Sequence, residues 1–325
     1  MKNFRGSIKV FLICMGILAV FMYFNNSNLF TETEKNDPLL LAHRGLAQTF
    51  PMEGLEYDTC TARIIYEPEH PYIENTIPSI EAAFAAGADV VEFDIQPTID
   101  GKFAVFHDWT LDCRTNGKGV TRKHTMEHLK RLDIGYGYTP DGGETYPFRG
   151  KGVGMMPKMG EVLRRFPDKS FLIHIKSDDP QEGGLLAEHL AKLPSEQLEL
   201  LTVYGGNKPI AKLKEELPEV RVMSKETLKS CLIPYLTTGW TGYVPEACKH
   251  SQIHLPENIA PWLWGWPDKF LNRMERAGTR VILVAGNGTW SEGFDSEEDL
   301  KRLPDDYSGG IWTNRVDVIH PLLEE

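Results

Sequence analysis

The chain lacks most of the short motifs that identify common enzyme classes. Its 325 residues hold no Gly-x-x-x-x-Gly-Lys-Ser/Thr loop and no Gly-x-Ser-x-Gly turn, which removes the P-loop and serine-hydrolase readings. The alternating glycines from Gly150 to Gly154 neither follow a strand nor open a clear helix, so they make no dinucleotide site. No Cys-x-x-Cys pair occurs among the five cysteines, so a zinc knuckle or a thioredoxin-like centre has no support. There is no internal repeat and no low-complexity tract. Positive charge is scarce too: 35 Lys and Arg stand against 46 Asp and Glu, a net charge of −11. An acidic body of this kind argues against non-specific nucleic-acid binding and leaves room for a local positive site for phosphate. What is present is ordinary for a globular protein, with 41% hydrophobic and 25% charged residues.

One long apolar run exists, from Val10 to Phe24, preceded by Lys2, Arg5 and Lys9. It fits a signal-peptide h-region and is short for a full span of about 20 residues. No small-x-small cleavage pattern follows, only Asn25-Asn26-Ser27-Asn28. The expectation is an uncleaved signal anchor over residues 1–30, a polar linker over 31–38 and one catalytic domain over 39–325. The basic flank places the N-terminus in the cytoplasm and the domain on the non-cytoplasmic side; a cleaved signal would give a secreted or periplasmic protein. Ile13 before Cys14 argues against lipidation there. Cys60, Cys113, Cys231 and Cys248 suit an exported domain with two disulfides. The expected pairs are Cys60–Cys113 and Cys231–Cys248, with four free buried thiols the alternative.

The most informative stretch is Val90-Val91-Glu92-Phe93-Asp94-Ile95, followed by Phe103-Ala104-Val105-Phe106-His107-Asp108. Both read as strands rich in β-branched and aromatic residues, joined across an Asp-Gly turn. Spacing of i and i+2 puts Glu92 and Asp94 on one face. Two carboxylates inside a hydrophobic run are costly unless neutralised, and a divalent cation is the simplest neutraliser. Half-exposed strands with solvated charges are the alternative. Leu39-Leu40-Leu41-Ala42 is another buried strand, and it ends in His43-Arg44-Gly45. Further strands are expected at Phe171, Leu198, Val220, Val281 and Gly310, making eight with those at Leu39, Val90 and Phe103. Most are continuous apolar runs separated by helical stretches, the pattern of parallel strands covered on both faces. This predicts an α/β fold, a (β/α)8 TIM barrel, with a doubly wound open sheet as the rival. Residues 109–157 are Gly-rich and loop-like, with one short helix near 124–132. Residues 238–267 read as irregular and hold Trp240, Trp262, Trp264 and Trp266. Those rings are expected in ordinary loop packing, over the barrel mouth, or on a rim that meets lipid.

His43-Arg44-Gly45, Glu74-Asn75-Thr76, Glu92-x-Asp94 and His107-Asp108, in that order, resemble the glycerophosphodiester phosphodiesterase family. With Phe171 to Lys176 and the closing Gly310 to Asn314, the resemblance covers roughly residues 39 to 320. It implies the same barrel and a metal-dependent hydrolysis of phosphodiesters. A phosphodiester resists attack because its charge repels nucleophiles and its alkoxide leaves poorly. Glu92 and Asp94 would hold one divalent metal (Mg, Ca, Mn or Zn), His43 and His107 would serve as base and acid, and Arg44 and Lys176 would bind the phosphate. Glu74 is a further candidate metal ligand, or the group that orients Arg44. Asn75 and Thr76 read equally as a helix cap. Asp108 is expected to position His107.

One position departs from the family. Where the fourth strand usually has a glutamate two residues before the lysine, as a third metal ligand, this chain has His174. An imidazole brings no negative charge and suits manganese or zinc better than calcium. The reading is a membrane-anchored hydrolase of glycerophosphodiesters or lysophospholipids that releases an alcohol and glycerol phosphate. The alternatives are a phospholipase D-like lyase that forms a cyclic phosphate, and a catalytically impaired barrel that binds phosphorylated ligands.

Overall fold

The computed structural model describes residues 2–30, 37–56, 59–287 and 292–324. Eight strands run parallel around a nearly closed barrel: β1 (Leu39–Ala42), β2 (Val90–Pro97), β4 (Ser170–Ile175), β5 (Leu201–Gly205), β6 (Arg221–Met223), β7 (Gln252–Pro256), β8 (Arg280–Val284) and β9 (Gly310–Thr313). The order around the sheet is β6-β5-β4-β2-β1-β9-β8-β7, and one parallel bridge between Val222 and Ser251 makes the last seam. The open-sheet alternative falls with that seam. Residues of β2 are buried almost without interruption, as a strand covered on both faces requires.

Three strand expectations are corrected. β3 (Phe103–Val105) is not a barrel stave; it folds back antiparallel on the end of β2, pairing Ile95 with Val105 and Pro97 with Phe103. The Asp-Gly turn between them forces that reversal. The eighth stave is β7, inside the stretch expected to be irregular. Its sequence alternates, with Ile253 and Leu255 buried in the outer core and Gln252 bonded to His254 at 2.8 Å on the other face. A polar lumen-facing side removed the continuous apolar signal. The strand expected from Leu198 begins at Leu201, because Ser195–Leu198 forms a helical turn first.

Helices α2 (Ile77–Ala85), α5 (Pro180–Leu190), α7 (Asn207–Glu216), α8 (Lys225–Thr238), α9 (Asp268–Arg276) and α11 (Val316–Leu323) pack outside the strands. Their starts are fixed locally. Thr76 accepts from the Ser79 amide with Pro78 in the first turn of α2, and Asp179 accepts from the Gln181 amide at 2.9 Å to open α5. Between barrel and helices lies the main core; a small inner core of Leu41, Val90, Leu172, Ile282, Val284 and Trp312 fills the lumen.

The segments after β1 and β3 build a third core of their own, including Ile65, Ile73, Phe106, Leu111, Leu129 and Phe148. The Cys60–Cys113 disulfide joins them. Cys231 pairs with Cys248, so both expected bridges are present and Cys14 is free. Helix α1 (Lys2–Asn26) extends the apolar run: residues 7–26 are long and apolar enough to cross a membrane, and none of that stretch is buried. Of the expected linker, residues 31–36 lie outside the described residues.

Candidate active site

The ends of β1, β2 and β4, with the turn after β3, bring the predicted residues together. His43 and Arg44 follow β1 directly. Arg44 takes φ +58 and Gly45 φ +81. A Cβ on Gly45 would stand 2.4 Å from Ser79 Oγ, so only glycine allows the turn to pack against α2. That turn aims the Arg44 amide at Glu92 Oε2, 3.1 Å away. The guanidinium donates to Glu74 Oε1 at 3.0 Å and lies 3.3 Å from Asp94 Oδ2.

Asn75, also left-handed with φ +59, clasps Asp94 twice. Its Nδ2 donates to Asp94 Oδ2 at 3.0 Å, and its Oδ1 accepts the Asp94 amide at 2.9 Å. Thr76 alone takes up the cap of α2. Asp94 Oδ1 lies 2.9 Å from His174 Nδ1 and 3.4 Å from Lys176 Nζ. Glu92 Oε1 accepts from Tyr204 Oη at 2.9 Å, and the Tyr204 ring stacks on His174 with centroids 4.0 Å apart.

Both catalytic candidates are held by the same nitrogen. His43 Nδ1 is 2.7 Å from Asn314 Oδ1. Asn314 is oriented by Asp295, which accepts its Nδ2 at 2.8 Å, so the asparagine oxygen faces His43 and Nδ1–H donates. His107 Nδ1 is 2.7 Å from Asp108 Oδ1, and a carboxylate only accepts. In neither ring does Nε2 have a hydrogen-bond partner among the described residues. Asp108 is anchored by Arg114 Nε at 3.1 Å, and Arg114 also reaches Glu74 at 3.5 Å. Glu74 therefore spends its charge on two arginines and stands outside the group of Glu92, Asp94 and His174, whose ligand atoms lie within 4.8 Å of one another.

Charge within the site is finely balanced. Four carboxylates (Glu74, Glu92, Asp94, Asp108) meet three cations (Arg44, Arg114, Lys176). Burial raises Asp94, but Lys176 and Arg44 outweigh it and hold the group well below the usual carboxylate range. Burial and then the neighbouring Asp94 push Glu92 up to about 8. Burial, then Arg44, lowers His43 well below its ordinary value, and burial with Arg44 and Lys176 lowers His107. Burial and Lys176 bring His174 down to about 3. All three rings are therefore neutral at pH 7. A donor set of two carboxylates and a neutral imidazole, with one carboxylate the fold alone does not hold ionised, fits a divalent cation. Above it opens a cavity of about 520 Å³, lined by His43, Arg44, His107, His174 and Lys176, with Phe50, Leu55 and Trp109 further out.

Comparison with known proteins agrees with this geometry. The model of the glycerophosphoryl diester phosphodiesterase family matches residues 43–229. The chain is 32% identical over 264 residues to the glycerophosphodiester phosphodiesterase of Bacillus subtilis, covering 79% of this chain and 82% of that one. It belongs to the glycerophosphoryl diester phosphodiesterase family. Among solved structures, the phosphodiesterase domain of the Mycobacterium tuberculosis protein Rv2277c superposes with a TM-score of 0.61 at 16% identity, over 89% of this chain and 99% of that one. An Oleispira antarctica phosphodiesterase, solved with the product sn-glycerol-3-phosphate, superposes with a TM-score of 0.57 at 17% identity, over 89% and 97%.

This member of the family is thus a phosphoric diester hydrolase on a (β/α)8 barrel. Sequence reasoning missed four groups in its site. Asn75 reads in the sequence as a possible cap, and only its backbone turn reveals its grip on Asp94. Arg114 gives no local signal. Tyr204 and Asn314 each sit where a barrel strand ends, the position from which such folds build their sites, and that signal was available.

Proposed function

We propose that this enzyme hydrolyses glycerophosphodiesters to an alcohol and glycerol phosphate, with a divalent cation held by Glu92, Asp94 and His174. The single observation behind this is the pair of neutral histidines, each fixed at Nδ1 and without a partner at Nε2 among the described residues, facing one acidic group across one cavity. Bound there, a divalent ion supplies positive charge for the phosphate oxygens. Arg44 and Lys176 add fixed charge on the same side. One histidine takes the proton of the attacking water at Nε2, and the other protonates the leaving alkoxide at Nε2. Arrival of the anionic phosphodiester favours protonation of the ring that acts as acid, because it opposes the burial that keeps both rings neutral. Asn314 and Asp108 hold the tautomers in place.

The apolar outer wall of Phe50, Leu55 and Trp109 supports acceptance of larger alcohols, lysophospholipids among them. The O. antarctica complex with sn-glycerol-3-phosphate supports glycerol phosphate as the retained half. Two disulfides and the basic flank of the apolar helix support a domain of residues 39–325 on the non-cytoplasmic side, tethered by residues 1–30 through the 31–38 linker.

The test is turnover of glycerophosphocholine, glycerophosphoethanolamine and lysophosphatidylcholine after chelation, with Mg, Ca, Mn or Zn restored one at a time and products read by phosphorus NMR. Open-chain glycerol phosphate is expected with at least one metal. A cyclic phosphate would replace water by a substrate hydroxyl as nucleophile. No turnover with any metal would leave a phospho-ligand-binding barrel.

A further inference from the structure

The last turn of α1 does not float free of the barrel. Asn25 and Asn26 both donate Nδ2 to the Trp240 carbonyl at 2.9 Å. Arg273 donates to the Asn25 carbonyl at 2.7 Å and to Asn26 Oδ1 at 3.1 Å. Phe21 meets the Trp240 ring edge-on at 6.4 Å, and Asn28 donates to the Trp266 carbonyl at 3.3 Å. Residues 7–20, 23 and 24 of the helix are exposed.

These contacts lie at the end of the barrel opposite the cavity. Helix α8 runs antiparallel to the strands, and Cys231 within it is bonded to Cys248, just before β7 begins. The rest of α8 and Trp240 therefore extend beyond the strand N-termini. Trp266 packs on Tyr307, whose hydroxyl reaches the carbonyl of Gly310, the first residue of β9. His43, Lys176 and Tyr204, by contrast, sit at strand C-termini.

Around this attachment the surface is unusually apolar. Ile233, Leu236 and Tyr243 are exposed, and Trp262 is 80% exposed, the most open large hydrophobic side chain among the described residues. The Trp264 indole donates to the Leu236 carbonyl and Tyr235 Oη to the Trp264 carbonyl, which ties the Trp262 loop to the end of α8. What lies beside the end of a membrane span sits at headgroup depth, where Trp and Tyr are favoured.

We propose that the surface of Ile233, Leu236, Trp240, Tyr243 and Trp262 rests in the headgroup region of the bilayer that α1 crosses. The barrel then stands on its strand N-terminal end, and the catalytic mouth opens to water. This rests on the reading of α1 as an anchor. The occupant is lipid and not a second protein, because the patch surrounds the exit point of the span itself.

Full-length chain in phosphatidylglycerol/phosphatidylethanolamine vesicles tests it, with bimane placed on one cysteine at a time: native Cys14, or Tyr243→Cys, Trp262→Cys or Tyr66→Cys in a Cys14→Ser background. Tyr66 is 56% exposed in the segment after β1, on the mouth side. Retained hydrolase activity certifies each fold. With headgroup-nitroxide lipids, quenching at 243 and 262 should exceed that at 66 by about threefold or more, while Cys14 answers to mid-chain nitroxides. A quenched Cys14 with 243 and 262 no better quenched than 66 keeps the anchor and overturns the proposal. An unquenched Cys14 on chains that fail to float with vesicles overturns both. Self-quenching between labelled copies at 243, without lipid quenching, assigns the surface to a second copy and also overturns it.

Discussion

The two sides of the barrel point different chemistry into the cavity. β1, β2 and β4 bring Arg44, Glu92, Asp94, His174 and Lys176 into a network of ion pairs and hydrogen bonds, with His43 beside them on the cavity wall. The flanking strands β5 and β9 and the facing strand β7 bring rings: Tyr204, Trp312 and His254. These form a chain of contacts from His174 through Tyr204, His254 and Trp312 to His43, with centroids 4.0 to 5.8 Å apart. The charged side keeps its buried ions affordable only because each acid has a cation or amide at contact distance. The ring side meets the acids through the Tyr204 hydroxyl on Glu92. Burial there lowers His254 to about 3, so it too is a neutral ring at pH 7.

The largest expected effect lies at the boundary between the sides. His43→Ala and His107→Ala should each lower kcat by about 10²–10⁴-fold while thermal unfolding is little changed. Near-normal turnover in either variant would remove that ring from acid–base duty and weaken the division drawn above. Next comes His174→Glu, which converts an oxygen-oxygen-nitrogen donor set to three carboxylates. Calcium and magnesium should gain about tenfold in relative affinity over manganese and zinc, because hard ions depend on carboxylate charge. Activity of wild type and variant after chelation and reloading measures it. An unchanged profile would mean that position 174 does not face the ion.

A subtler prediction concerns pH. Glu92 moves from an ordinary 4.5 to about 8 in the fold. Between those values the folded protein keeps a proton that the unfolded chain has released, so metal-free stability should fall as pH rises through that window. A bound divalent cation holds Glu92 ionised and should flatten the slope. Unfolding scans across pH with and without Mn²⁺ check this; parallel curves would contradict it. The smallest effects belong to the ring side. Tyr204→Phe should weaken cation affinity by about tenfold, as loss of a group that orients a ligand does. His254 bonds Gln252 and touches neither acid among the described residues, so His254→Phe should leave the affinity unchanged. Equal losses in both would mean that packing, and not the hydroxyl, supports Glu92.

The same division explains what could be read from sequence. The charged side was legible because its residues cluster within a few positions of apolar strands, and Glu92-x-Asp94 in a hydrophobic run is costly enough to demand a reason. The barrel is legible from continuous apolar runs, yet those runs mark one stave wrongly. β3 has the apolar run of a stave but follows an Asp-Gly turn too short for a parallel crossover. β7 is a stave without the run, because Gln252 and His254 take its inner face. Arg114 and the Asn75 clasp were illegible because their partners lie far off in sequence and only the folded turns bring them close. Both disulfides were expected as a pairing, and the folded chain explains them: Cys60–Cys113 staples the two segments that roof the cavity, and Cys231–Cys248 staples α8 to the start of β7.

The central claim is that the charged side holds a cation through two carboxylates and an imidazole. Pulsed electron paramagnetic resonance of Mn²⁺ bound to the wild type and to His174→Glu tests it most directly. The account predicts nitrogen modulation from a directly bound imidazole in the wild type and its disappearance in the variant, with Mn²⁺ still bound in both. Bound Mn²⁺ with no nitrogen modulation in the wild type, or the same modulation in both proteins, would contradict it.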